Sequence, residues 1–188
     1  MSQQDEQQGE SQEAKALPHL ASEFFAWLWY TSEQRRGTLD LGEGVGTVDF
    51  WVGSRISFRA VDEDKARAVV TGESPSTTLE ARAALAGGKV VNDLRLVLRR
   101  EEREYEVTLR GPYLDLHNVR LPAQVKTGED EVLYERMFLY DELWFLLGAL
   151  YARFAEERTG ADWRTETLPS LKAWVGRGRD GEGAYSVA

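Results

Sequence analysis

The stretch Lys89-Val-Val-Asn-Asp-Leu-Arg-Leu-Val-Leu-Arg-Arg100 alternates leucine with arginine or valine in its second half. Successive side chains of an extended strand point to opposite faces, so the leucines share one face and the arginines the other. Tyrosine, valine and leucine continue the apolar face after a short turn at residues 100–103. The pattern predicts an antiparallel hairpin in which Arg99 lies opposite Glu104 and Arg95 opposite Thr108.

Other segments around this hairpin are typical of β-structure. Gly53-Ser54 predicts a hairpin turn between two strands, and Pro122 ends the last strand. The predicted strands are residues 38–41, 47–52, 55–61, 67–71 and 114–121.

Three segments have helical character. Phe24 to Tyr30 holds five aromatic residues, which must be buried in a core or form a contact surface. Their helical spacing favours the core, in a helix from Ser22 to about Arg36 that Gly37 ends. An alanine-rich helix covers residues 77–86, and a long helix runs from about 131 to 158. We therefore predict an α+β fold in which these helices pack on a mostly antiparallel sheet.

The long helix is apolar around more of its circumference than the usual stripe of about 100°. One row of apolar residues recurs at spacings of four and three: Leu133, Met137, Tyr140, Trp144, Leu147, Tyr151 and Phe154. A second row lies beside it: Leu139, Leu143, Leu146 and Leu150. We predict that the second row is an interface, because one small domain cannot cover both rows.

Composition sets the domain organisation. Residues 1–16 are rich in glutamine and glutamate and are predicted to be a disordered acidic tail. Residues 17–158 form one predicted domain, and residues 159–188 a partly disordered C-terminal extension. The chain has no cysteine, no signal-peptide pattern and no long apolar run, so we expect a cytoplasmic protein away from membranes.

Catalytic and metal-binding motifs are missing. The two histidines, His19 and His117, are far apart in the sequence, and thiolate ligands are excluded. Asp115 and His117 share a strand face without a neighbouring nucleophile, which favours a surface pair. We therefore predict neither an enzyme nor a metal or other cofactor.

Net charge is −9, yet the segment 89–120 carries seven basic residues against six acidic ones. Two interpretations of its arginines stay open. They contact a phosphate backbone, or they pair with glutamates across the hairpin, as Arg99 and Glu104 would.

Three motifs, in this order, carry a family resemblance. They are Glu23-Phe-Phe-Ala-Trp-Leu-Trp-Tyr30, Ala86-Gly-Gly-Lys-Val-Val-Asn-Asp-Leu-Arg-Leu96 and Tyr134-Glu-Arg-Met-Phe-Leu-Tyr-Asp-Glu-Leu143. Over residues 20–156 the chain resembles the C-terminal half of the recombination-associated protein RdgC family.

This resemblance implies a mixed α/β fold and a homodimer that binds double-stranded DNA without sequence preference. Lys89 stands where the family motif has its lysine. We therefore expect a non-enzymatic, DNA-associated protein of the nucleoid, linked to recombination or replication. The predicted DNA-binding residues are Lys89, Arg95, Arg99, Arg100, Arg103 and Arg110. The alternative is a protein–protein dimerisation module that keeps the fold without binding DNA.

Overall fold

The computed structural model describes residues 20–60, 67–72 and 75–180. Their centre is a six-stranded antiparallel sheet in the order β1-β2-β4-β5-β6, with β3 also paired to β2. The strands are β1 (Thr38–Asp40), β2 (Thr47–Arg59), β3 (Arg67–Thr71), β4 (Val90–Arg100), β5 (Arg103–Arg110) and β6 (Asp115–Arg120). The predicted acidic tail, residues 1–16, lies outside the described residues.

Four helices accompany the sheet: α1 (residues 20–34), α2 (Leu79–Ala86), α3 (Glu129–Thr159) and α4 (Leu168–Asp180). Thr78 caps α2, because its hydroxyl accepts a hydrogen bond from the Ala81 amide at 3.3 Å. Helices and sheet bury one common hydrophobic core. The predicted α+β fold is confirmed.

The β4–β5 hairpin has the predicted register. Arg99 pairs with Glu104 and Arg95 with Thr108. The leucines of β4 are fully buried against the helices, whereas Arg95 and Arg99 lie on the opposite face. One side of the sheet is therefore the core side, and the other is a partly open face bearing charged residues.

The predicted hairpin turn at Gly53-Ser54 is wrong, because β2 runs unbroken through both residues. The pairing with β4 shifts register between Val52 and Ile56 instead. A β-bulge therefore occupies the position where the sequence pattern predicts a turn, and the strand continues through it. Gly53 packs closely against β4 at this point, since a Cβ atom there would lie 3.2 Å from Cγ of Arg95.

The aromatic residues of α1 are in the core, as their spacing predicts. Phe24, Phe25, Trp27 and Trp29 are at most 2% exposed. Phe24 meets Tyr151 of α3 edge to face, with ring centroids 5.2 Å apart. This helix therefore joins α3 to the rest of the core.

The predicted domain boundary after residue 158 is too early. The chain continues through a π-helical turn, Trp163–Thr167, into α4. Trp174 of α4 is 1% exposed and meets Trp29 edge to face at 4.9 Å. Because these indoles complete the core around α1, the domain extends at least to α4.

The carboxylate of Glu33 holds α1, α2 and α4 together. Glu33 of α1 accepts hydrogen bonds from the indole N–H groups of Trp29 and Trp174, both at 2.8 Å. Arg82 of α2 adds an ion pair at 2.7 Å. One side chain thus connects three helices that are remote in sequence. The residue pattern within any one of these helices does not predict this connection.

Candidate interaction surfaces

The structure divides the predicted DNA-binding residues among three places. Arg95, Arg99 and Arg110 lie on the open face of the sheet, because they alternate with residues on the core side. Arg100 and Arg103 face α3. The remaining member, Lys89, sits half-buried between α2 and β4, where its backbone N–H bonds to the carbonyl of Ala84.

Each of these three hairpin arginines has a carboxylate partner. Arg95 donates to Glu106 through a short contact, and this bond raises the pKa of Arg95 and lowers that of Glu106. Arg99 lies 2.9 Å from Asp49. The hydrogen bond from Arg99 lowers the pKa of that carboxyl.

The third partner is Asp93, which lies 3.4 Å from Nε of Arg110. Arg99 also stacks over the ring of Trp51 at 5.7 Å. Arg95, Arg99 and Arg110 are therefore held in ion pairs within the chain.

Glu142 of α3 receives the other two arginines. Its carboxylate lies 3.2 Å from Arg100 and 2.6 Å from Arg103, and Tyr105 donates a short hydrogen bond. Burial alone would raise the pKa of Glu142, but the bonds from Tyr105 and Arg103 hold it below its ordinary value. Burial and the neighbouring carboxylate raise the pKa of Tyr105.

This cluster anchors the end of the hairpin to α3. The Glu142 side chain is only 8% exposed. Its two arginines are therefore engaged in ion pairs within the fold. They do not form one cationic track with the arginines of the open face, which lie on the other side of the sheet.

The predicted interface residues require a correction. Leu139, Leu143, Leu146 and Leu150 are at most 4% exposed and belong to the core. They are the side of α3 that packs within the domain, so the prediction that they form an external interface is wrong.

The exposed apolar residues of α3 lie on its opposite side. Six large side chains there are 50–70% exposed. They are Leu133, Tyr134, Met137, Phe138, Trp144 and Phe145. We call these six residues the α3 outer face. Several belong to the row that the sequence pattern placed in the core, because a helix apolar all round does not reveal which side meets the sheet.

An apolar groove borders the α3 outer face. It has a volume of about 210 Å³ and is lined by Trp144, Leu147, Gly148 and Tyr151 of α3. Phe24 of α1 and leucines of the β5–β6 region form its other wall. Apolar surface therefore continues from the helix onto the neighbouring edge of the domain.

Other site types have little support in the described part of the chain. Among residues 20–60, 67–72 and 75–180, no three acidic or histidine side chains gather as metal ligands would. None of the helices described combines the length and apolarity that a bilayer crossing requires. Asp115 and His117 lie on β6, with His117 opposite Thr108.

No family model, curated protein or solved structure matches this chain. The resemblance to the RdgC family therefore stays a prediction.

Proposed function

We propose that this chain is a non-enzymatic protein–protein interaction module that forms a homodimer through the α3 outer face. The observation that carries the proposal is the row of six large apolar side chains, each at least half exposed, on one helix. Exposed apolar surface of this extent marks interaction sites in folded proteins. Since the chain lacks cysteine, we propose a reducing compartment, the cytoplasm, as its location.

The amino-acid order along α3 favours a second copy as the partner. Large residues occupy the first half of the outward side, and small residues occupy the second half, at Gly148, Ala152 and Ala155. An antiparallel helix pair centred between Trp144 and Phe145 would place these two rings together at the two-fold axis. On either side of the axis it would place large residues against small ones. Tyr134 would face Ala155 of the second copy.

In the same pairing Met137 would face Ala152, and Asp141 would face Gly148. Matched large and small side chains allow two helices to approach closely along about 30 Å of their length. The arrangement is isologous: each contact occurs twice about a two-fold axis, as closed dimers require.

Asp141 supplies a specific test of this geometry. Among the acidic residues on the outward side of α3 it lies nearest the centre of the proposed contact, and its side chain is exposed in the single chain. An unpaired carboxylate weakens an interface that removes it from water. Asp141→Leu should therefore tighten the dimer, whereas a contact elsewhere on the molecule would not respond.

Sedimentation velocity over a wide range of protein concentration tests the proposal. We expect a monomer–dimer equilibrium that Phe145→Glu and Met137→Glu shift to monomer without loss of helical circular dichroism. Tyr113→Glu is the matched control, because Tyr113 is 77% exposed but lies outside α3. A protein that stays monomeric at every concentration, or a dimer that survives both α3 substitutions, would refute the proposal.

Binding of duplex DNA is the weaker proposal, although the resemblance implies it. The five hairpin arginines already face carboxylates at ion-pair distance, so phosphate contacts would have to replace those pairs. A mobility-shift titration at two salt concentrations distinguishes a DNA-binding protein from a protein–protein interaction module. Tight binding that weakens steeply with salt would favour DNA, because phosphate contacts release counterions.

A further inference from the structure

A second group of arginines gathers at the other end of the open face. Arg55 and Arg59 of β2, Arg67 of β3 and Arg110 of β5 line one depression of about 420 Å³. Asp93 is the carboxylate in its lining, which therefore holds four positive charges and one negative charge. So strong a positive excess is unusual in a chain of net charge −9.

Strand pairing forces these side chains together. Arg59 lies directly opposite Arg67 in the β2–β3 ladder, and like charges in that position repel each other. Arg55 is two pleats earlier on the same face as Arg59. From the next strands, Asp93 pairs with Arg110 and also with Ser57, which places Arg110 beside the β2 arginines.

Three of the four arginines are not neutralised within the described residues. Asp93 lies 3.4 Å from Arg110. No carboxylate described in the structure lies within ion-pair distance of Arg55, Arg59 or Arg67. This is the reverse of the hairpin arginines described above, each of which has an acidic partner.

We infer that this depression, which we call the arginine pocket, binds the phosphate group of a small phosphorylated ligand. A guanidinium group can donate two parallel hydrogen bonds to the oxygens of one phosphate. Several converging arginines complement the charge of a phosphate dianion better than they complement the charge of a single carboxylate ligand. A concave site of this size suits a small molecule rather than an extended strand. The inference is independent of the proposed dimer, because the pocket is on the sheet and not on α3.

Isothermal titration with inorganic pyrophosphate tests the inference, with succinate and sulfate at equal ionic strength for comparison. We expect saturable binding of pyrophosphate that exceeds that of both other anions. Arg59→Gln combined with Arg67→Gln should weaken it by about tenfold or more, as expected for the loss of charge-assisted hydrogen bonds. Arg164→Gln is the matched control, because Arg164 is exposed on the π-helical turn, far along the chain from the pocket.

Thermal unfolding in the presence of pyrophosphate gives a second readout. The melting temperature of the wild type and of Arg164→Gln should rise with pyrophosphate, whereas that of the double variant should not. A melting temperature of the double variant without ligand that is not below that of the wild type shows that the fold persists.

Three results with small anions would overturn the inference. Pyrophosphate would bind no better than sulfate, or succinate would bind more tightly, or the double variant would bind pyrophosphate as the wild type does. Binding of a short DNA duplex that requires Arg59 and Arg67, without binding of pyrophosphate, would also overturn it and assign the pocket to a polyanion.

Discussion

Replacing Glu142 by glutamine keeps the size of the side chain but removes its charge. In the wild type this carboxylate accepts hydrogen bonds from Arg100, Arg103 and the hydroxyl of Tyr105. Charge-assisted hydrogen bonds of this type contribute roughly 1.5–3 kcal/mol each. The variant leaves two arginines beside a neutral amide at the junction of hairpin and α3.

The two arginines are partly hydrated, which limits the loss. The side chains of Arg100 and Arg103 are 26% and 41% exposed, so each regains some water when the carboxylate is removed. We therefore expect Glu142→Gln to lower the free energy of unfolding by about 2–4 kcal/mol, somewhat less than the loss of a fully buried partner. For a domain of this size the melting temperature should fall by about 5–15 °C.

The pH dependence follows from the lowered pKa of Glu142. Its ordinary value is 4.5, and the folded protein holds it lower. The ionised carboxylate therefore stabilises the fold fully above pH 4.5, and this contribution is lost as the pH falls through the folded-state pKa. The difference between wild type and Glu142→Gln should be largest near neutral pH and shrink in acid.

Thermal melts followed by circular dichroism at neutral pH and below pH 4.5 measure both effects. Glu102→Gln is the matched control, because this glutamate is exposed in the turn of the same hairpin. Equal melting temperatures for wild type and Glu142→Gln at neutral pH would refute the reasoning. A large difference that persists unchanged in acid would show that the charge is not its origin.

Four further substitutions probe other parts of the fold. Tyr105→Phe should cost about 1 kcal/mol at neutral pH. Because the folded-state pKa of Tyr105 is raised, the advantage of the wild type should decline above pH 10, measured by urea unfolding. Gly37→Ala should destabilise by about 2 kcal/mol or more, since its φ is +77° and a Cβ would lie 2.8 Å from a backbone oxygen of β2. Gly44→Ala, with φ +86° and no atom within 4 Å, should cost about 1 kcal/mol in the same assay. Glu33→Gln should lower the unfolding free energy by about 2 kcal/mol and change the near-ultraviolet signal of the tryptophans, since two indoles and one guanidinium lose their shared acceptor. An unaltered near-ultraviolet spectrum of Glu33→Gln would argue against the role of Glu33 as the shared acceptor of the two indoles.

Local periodicity predicted the parts of the fold that depend on near neighbours. The β4–β5 register follows from alternation across one short turn, and the burial of the α1 aromatics follows from their spacing. The unbroken course of β2 did not follow, because Gly53-Ser54 has the composition of a turn and the bulge there is a feature of the pairing with β4, which is remote in sequence.

The candidate surfaces were harder to predict because they depend on contacts between distant residues. Arg99 meets Asp49 across 50 positions of sequence, and Arg100 meets Glu142 across 42. No window of sequence contains both partners. The two apolar rows of α3 posed a related difficulty: both are apolar, and only the docking of the helix on the sheet decides which of their residues are buried.

The position of Trp174 has a consequence for how the chain acquires its structure during synthesis. The indole that closes the core around Trp29 comes from the last described helix, more than a hundred residues after its partner. During synthesis the sheet and α1 therefore leave the ribosome well before Trp174, the residue that completes their core. We expect the nascent domain to stay incomplete, and open to chaperones, until residue 174 has left the exit tunnel.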